Sequence, residues 1–157
     1  MKITEYISEK EILLDMKATG KSESLLELLD MLEASGSVEN KEKVLEILLE
    51  REKLGSTGIG HGIAVPHAKS DQVSRLVCCL GISQKGINFD SLDGENVYIV
   101  FLVLAPVGAT GLHLKALAKI ARLLKDRVFK NSLRASKTSA EVFQIIQEDE
   151  ERLNSLG

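Results

Sequence analysis

Gly55-Ser56-Thr57-Gly58-Ile59-Gly60-His61-Gly62-Ile63-Ala64-Val65-Pro66-His67-Ala68-Lys69 packs four glycines into eight residues, then adds a short apolar run, a proline and a histidine. Glycine lets the backbone turn tightly and proline stiffens the chain just before the histidine, so the stretch is suited to wrapping something small and presenting one imidazole to it. An anionic group fits such a backbone better than a hydrophobic core does. Two of the three histidines in the chain, His61 and His67, lie within it.

On the N-terminal side, two helical patterns lead into the glycines. Leu25, Leu26, Leu28, Leu29 and Leu32 recur at helical spacing, with Ser22 placed to cap the first turn and Gly36 to end the last. Asn40 is the next N-cap candidate, and Val44, Leu45, Leu48 and Leu49 share one face of a helix that stops at Gly55, with Arg51 about a turn before its end. Upstream, Ile12 to Leu14 reads as a short strand or a connecting apolar segment. Downstream, Ile63 to Val65 can pair as a strand, Pro66 confining it to an edge or an end. Val73 to Ile82 is the next strand, Gln84-Lys85-Gly86 a turn, and Asp93-Gly94 another turn. Val97 to Leu104 is almost continuously β-branched or aliphatic, the composition of a strand covered on both faces, and belongs in the middle of a sheet. Pro106 to Gly111 reads as a loop. A helix from Leu112 to Leu124 then carries His113 in its first turn, Val128 to Leu133 makes a short helix, and Thr138 to Glu141 is a capping box opening the last. Helices precede, follow and flank the strands, so the pattern is a layered α/β or α+β architecture.

Composition narrows the functions. The 157 residues suffice for one domain, residues 1–157, with one well-buried core. With 20 basic against 23 acidic residues, scattered rather than striped, nucleic-acid binding is not indicated. There is no Trp and aromatics are 4%, which removes the usual stacking platforms. The first residues lack the apolar stretch of a secretory signal, and the longest apolar run, Val97 to Val107, is too short to span a bilayer and contains a proline. A cytoplasmic protein without membrane insertion is expected. Cys78 and Cys79, being adjacent, should point to opposite faces of a strand as buried structural thiols.

Five readings of the glycine and histidine stretch compete. A Walker phosphate loop fails, because no Gly-Lys-Ser/Thr comes after these glycines and the Gly20-Lys21-Ser22 elsewhere lacks the earlier glycine. A dinucleotide fingerprint fails because Ile63 stands where the third glycine belongs. A three-histidine metal site from His61, His67 and His113 has neither helical spacing nor an acidic residue between the first two. A structural turn with ordinary histidines is the plain alternative. The remaining reading is nucleophilic: a neutral imidazole attacks phosphorus through one ring nitrogen while a hydrogen bond holds the other. Backbone N–H groups at Gly58 and Gly60, the hydroxyls of Ser56 and Thr57, the Arg51 guanidinium, and His113 near a helix start would then serve the phosphate, with His61 a loop residue able to touch it.

The segment Glu52 to Ala68 resembles the phosphorylation-site pattern of the type-2 enzyme IIA domains of the bacterial phosphoenolpyruvate-dependent phosphotransferase system, the mannitol/fructose group. That pattern has an acidic or amide residue, six free positions, an apolar residue and glycine, two free positions, then apolar-Ala-apolar-Pro-His and a small residue. Glu52, Ile59, Gly60, Ile63, Ala64, Val65, Pro66, His67 and Ala68 meet every fixed position. Arg51 to Gly60, with Ala105-Pro106 and the later His113, is similar to the nitrogen-regulatory branch. The resemblance implies a mixed β-sheet with helices on both sides. It makes His67 the phosphorylated nucleophile, His113 the second active-site histidine and Arg51 the nearby cation; His61 falls on a free position. It further implies a phosphotransferase component that receives its phosphoryl group from an HPr-like phosphocarrier. The group is either displayed as a regulatory signal to target proteins or passed to an enzyme IIB. No cofactor or metal is called for, since the donor already carries an activated group.

Overall fold

The computed structural model describes residues 1–156. After two 3-10 turns at Ile3–Glu5 and Glu9–Glu11, the chain runs β1 (Ile12–Leu13), α1 (Lys21–Ala34), α2 (Lys41–Lys53), β2 (Gly58–Gly60), β3 (Ile63–Ala64) and β4 (His67–Lys69). It continues through β5 (Val77–Ile87), β6 (Val97–Ala105), α3 (Thr110–Leu124), α4 (Arg127–Ala135) and α5 (Ser139–Ser155). The strands form one mixed sheet in the order β1-β5-β6-β3-β2, with β4 also paired to β6. β6 is therefore its centre, as its unbroken apolar run implied: antiparallel to β5 on one side, parallel to β3 and β4 on the other. Among the described residues, no helix is long and apolar enough to cross a membrane.

Alternation along the two long strands divides the core between two faces. Cys78, Leu80 and Ile82 with Ile99, Phe101 and Val103 meet α3, α4 and α5, whereas Val77 and Cys79 with Val100, Leu102 and Leu104 meet α1 and α2. The two cysteines thus sit on opposite faces, both buried. Phe89, Phe101 and Phe129 are fully buried, each worth roughly 1.5–3 kcal/mol of removal from water. Glu150, 1% exposed on α5, ties down the chain start by accepting the backbone N–H groups of Ile3 and Thr4, with Lys119 3.7 Å away.

Local details differ from the sequence reading, beginning with β5, which starts at Val77 rather than Val73. α1 opens at Lys21 with Gly20, not Ser22, as its N-cap, because Gly20 is held beside Asn88 by a parallel bridge and the helix must start where the chain leaves the sheet. Gln84-Lys85-Gly86 is not a turn between strands but an irregularity inside β5, which runs to Ile87. Gly86 adopts φ 97° there and its N–H donates to Ser83 Oγ, so the glycine makes a bulge that pairing then crosses. Asn40 caps α2 as read, accepting the N–H of Lys43.

Candidate active site

Pro66 decides where His67 stands. β3 and β4 keep one register against β6, Ile63 opposite Ile99, Ala64 opposite Val100 and then His67 opposite Val103. They are one strand interrupted at Val65-Pro66. Proline has no N–H to give a neighbour, and the strand tolerates it because β4 pairs with β6 alone. Pro66 still accepts the N–H of Val103. The interruption frees the Val65 carbonyl, which lies 2.9 Å from His67 Nδ1. A carbonyl only accepts, so Nδ1 carries the proton and Nε2 keeps its lone pair. His67 is partly exposed, with its ring oriented by the carbonyl two residues before it.

His113 meets it from above the C-terminal end of β6. The chain leaves β6 at Ala105, turns, and enters α3, whose first turn carries His113 with its N–H on the Ala109 carbonyl. The two imidazoles lie 5.5 Å apart between centroids at 61°. His113 is 6% exposed and its Nε2 is buried without a hydrogen-bond partner. Burial first, then His67 and Lys69, lower its pKa from the usual 6.5, which keeps it neutral at pH 7. Lys69, two residues along β4 and so on the face that carries His67, places Nζ 3.2 Å from the Thr110 hydroxyl at the start of α3. The sequence reading does not single out Lys69 or Thr110. Period-two alternation after Pro66 is the signal that pairs Lys69 with His67.

The glycine stretch itself forms a β-hairpin. β2 and β3 pair antiparallel, and His61 and Gly62 form its two-residue turn with φ 58° and 79°. Two successive left-handed residues are what a tight hairpin turn demands. Gly58 is required by close approach, since a Cβ there would collide with the Ser91 hydroxyl. His61 N–H donates to Asp93 Oδ2 at 3.1 Å, and this with the Glu95 N–H holds the Asp93 carboxyl below its usual range. Gly62 accepts the N–H of Tyr98, whereas His67 faces Val103. Five residues of β6 separate them, roughly 16 Å at 3.3 Å per residue. The structure thus parts Gly60 and His61 from His67, and the three histidines do not converge on a metal.

The other sequence candidates brace the loop. Glu52, 7% exposed, accepts the Thr57 N–H at 3.1 Å and the Thr57 hydroxyl, and pairs with Lys21 at 3.0 Å. Ser56 Oγ donates to the Phe89 carbonyl and accepts the Gly58 N–H. Both hydroxyls are therefore already engaged. Thr57 O in turn accepts the Val65 N–H, a backbone bond that does not pass through the Glu52 side chain. Arg51 donates to the Gly55 carbonyl at 2.8 Å and touches neither imidazole.

Residues 5–149 match the family described as "Phosphoenolpyruvate-dependent sugar phosphotransferase system, EIIA 2", and the chain belongs to that family. Within it, the chain is 40% identical to a "Nitrogen regulatory protein" of Bradyrhizobium diazoefficiens over 93% of this chain and 95% of that one. The crystal structure of nitrogen regulatory protein IIA-Ntr from Neisseria meningitidis superposes with a TM-score of 0.84 at 34% identity, covering 92% of this chain and 98% of that one. A "PTS system fructose-specific EIIABC component" of Bacillus subtilis is 35% identical over 95% of this chain, which corresponds to 24% of that longer protein. The family fold, a single mixed sheet between helical layers, is the one described above.

Proposed function

We propose that this chain is a regulatory phosphocarrier in which His67 Nε2 takes a phosphoryl group from the phosphohistidine of an HPr-like protein. The observation that carries the reading is the 2.9 Å contact between His67 Nδ1 and the Val65 carbonyl, which leaves Nε2 as the nucleophile. As the bond from Nε2 to phosphorus forms, the bond from phosphorus to the donor nitrogen breaks and the electron pair leaves with the donor imidazole. His67 keeps its Nδ1 proton throughout, and the Val65 carbonyl stabilises the positive character that the ring gains. Phosphoryl transfer is mainly positioning and charge stabilisation. His113, through its unpartnered Nε2, is the donor assigned to a phosphoryl oxygen in this reading; Lys69 adds a positive charge beside it. Arg51, released from Gly55, is the longer-range cation toward the incoming donor. Ser56, Thr57 and Gly58 hold the loop, and no cofactor or metal takes part.

A switch is favoured over a sugar-specific carrier because the nitrogen regulatory protein of Bradyrhizobium diazoefficiens is 40% identical to this chain against 35% for the fructose component, and IIA-Ntr of Neisseria meningitidis superposes with a TM-score of 0.84. The alternative destination is an enzyme IIB. Incubation with phosphoenolpyruvate, enzyme I and HPr, followed by intact-mass measurement, tests the chemistry. One acid-labile phosphoryl group on the wild type and none on His67→Ala is the expected result. Transfer onward to a purified IIB domain at rates typical of a relay would shift the reading to sugar transport, and an unphosphorylated wild type with a working relay would sink the carrier reading.

A further inference from the structure

At the end of the sheet away from His67, the hairpin tip and α4 enclose a two-part groove. One hollow of about 240 Å³ is bounded by His61, Tyr98, Arg127, Lys130 and Arg134. The next, about 400 Å³, shares His61, Arg127 and Lys130 but has an apolar floor of Ile59, Ile63, Ala121 and Leu124, with Lys125 at its edge. His113 opens α3 and Leu124 closes it, eleven residues on, so the groove lies roughly 16 Å from the phosphoryl site.

The charges here are arranged and unspent. Arg127, Lys130 and Arg134 stand at i, i+3 and i+7, which puts them along one side of α4 over roughly 10 Å. Elsewhere, cations such as Lys41 and Arg152 are paired, with Asp30 and Asp126. Among the described residues, Lys125, Arg127, Lys130 and Arg134 have no carboxylate within the 4 Å of an ion pair. The nearby carboxylates are committed: Asp126 caps α4 and binds Arg152, and Asp93 takes backbone N–H groups. Arg134 is held over the Tyr98 ring at 4.1 Å, which orients its guanidinium before any ligand arrives. In a chain of net charge −3, four unpaired cations around one groove are a local reversal of sign.

We infer that this groove docks an acidic amphipathic segment of a partner protein, its carboxylates along α4 and one apolar side chain in the hollow beside Ile59. Charge complementarity selects the sign, and the apolar floor selects a peptide over a nucleic acid. Arg134 already takes one face of Tyr98, and the cation row is too short to follow a phosphate backbone far. Ile59 is 49% exposed on the hairpin, an apolar side chain that a partner would cover. The groove is independent of the phosphoryl chemistry, so a partner held here leaves His67 free to be read or modified.

The test uses the whole chain and a labelled synthetic helical peptide with glutamates at i, i+3 and i+7 and a leucine flanking them, followed by anisotropy and by amide chemical shifts. Expected are saturable binding that weakens with salt and shifts confined to α4, Lys125 and the His61 turn. The R127E/K130E/R134E variant should lose on the order of 30-fold in affinity at low salt, since three exposed pairs become repulsive. Ile59→Ser, an exposed change that spares the fold, and a peptide with serine for leucine should each lose several-fold, while His67→Ala should bind as wild type. Equal binding of the leucine and serine peptides, equally tight binding of a single-stranded oligonucleotide of the same charge, or shifts centred on His67 and His113 would overturn the assignment.

Discussion

Glu52→Ala should unfold the protein more readily without touching its chemistry. The carboxylate lies at the acidic position of the phosphorylation pattern, yet its side chain is 4% exposed and faces Lys21 at 3.0 Å and Thr57. Removing it strands a largely buried ammonium, 15% exposed, and leaves the Thr57 N–H and hydroxyl without their acceptor. Deleting one partner of a buried pair costs about 3–5 kcal/mol. The lower end applies here, because Asp90 lies 3.8 Å from Lys21 and the Phe89 ring 5.2 Å from it. Against a total stability of about 5–15 kcal/mol, a loss of about 3 kcal/mol is a large share, and it corresponds to a fall of roughly 6–12 °C in the melting temperature of a chain this size. Urea titration followed by circular dichroism reads the loss, with Glu52→Gln, which keeps one acceptor, falling between wild type and alanine. Below the transition, intact mass should still show phosphorylation at His67. A loss under about 1 kcal/mol, or a folded Glu52→Ala that no longer takes the phosphoryl group, would refute the bracing role.

Three further outcomes are expected. His113, whose folded pKa lies below 6.5, binds its proton more weakly when folded, so its contribution to stability is present above pH 6.5 and is lost as pH falls from there toward the folded value. His113→Gln should flatten that acid limb in a pH series of urea titrations, and phosphorylation of His67 should raise the His113 titration seen by NMR. His61→Gly relieves a non-glycine left-handed turn, so stability should stay equal or rise by up to about 1 kcal/mol; phosphorylation by the relay should stay within about twofold of wild type. Burial pushes the Cys78 thiol up to about 12 and Cys79 well above its usual value, so a thiol reagent should label neither in the native protein at pH 8 and both once urea unfolds it.

Much of the candidate site is legible before any fold is known, but unevenly. Pro66 and His67 are adjacent in the chain, so the break in the strand and the histidine it presents are local facts. His113 is placed by a helix start after an apolar strand, again local. The glycines mislead because flexibility is compatible with two uses, enclosing an anion or turning a hairpin, and only the pairing of β2 with β3 shows that they turn. Ser56 and Thr57 look free because their partners, the Phe89 carbonyl and Glu52, become neighbours only on folding. Arg51 lies near the loop as read, yet its guanidinium answers to Gly55.

Short-range rules carry the apolar run of β6 that must be central, the helix faces, the opposed cysteines, and a proline that cannot pair before a histidine; all of these are written in the order of the residues. Direction and company come from the folded chain instead. The Val65 carbonyl holds Nδ1 of His67 and leaves Nε2 its lone pair, Lys69 joins the two histidines, and His61 is carried to the far end with the cations of α4. Those outcomes depend on strand register and on where α3 begins and ends, distances between residues remote in the chain that no local pattern encodes.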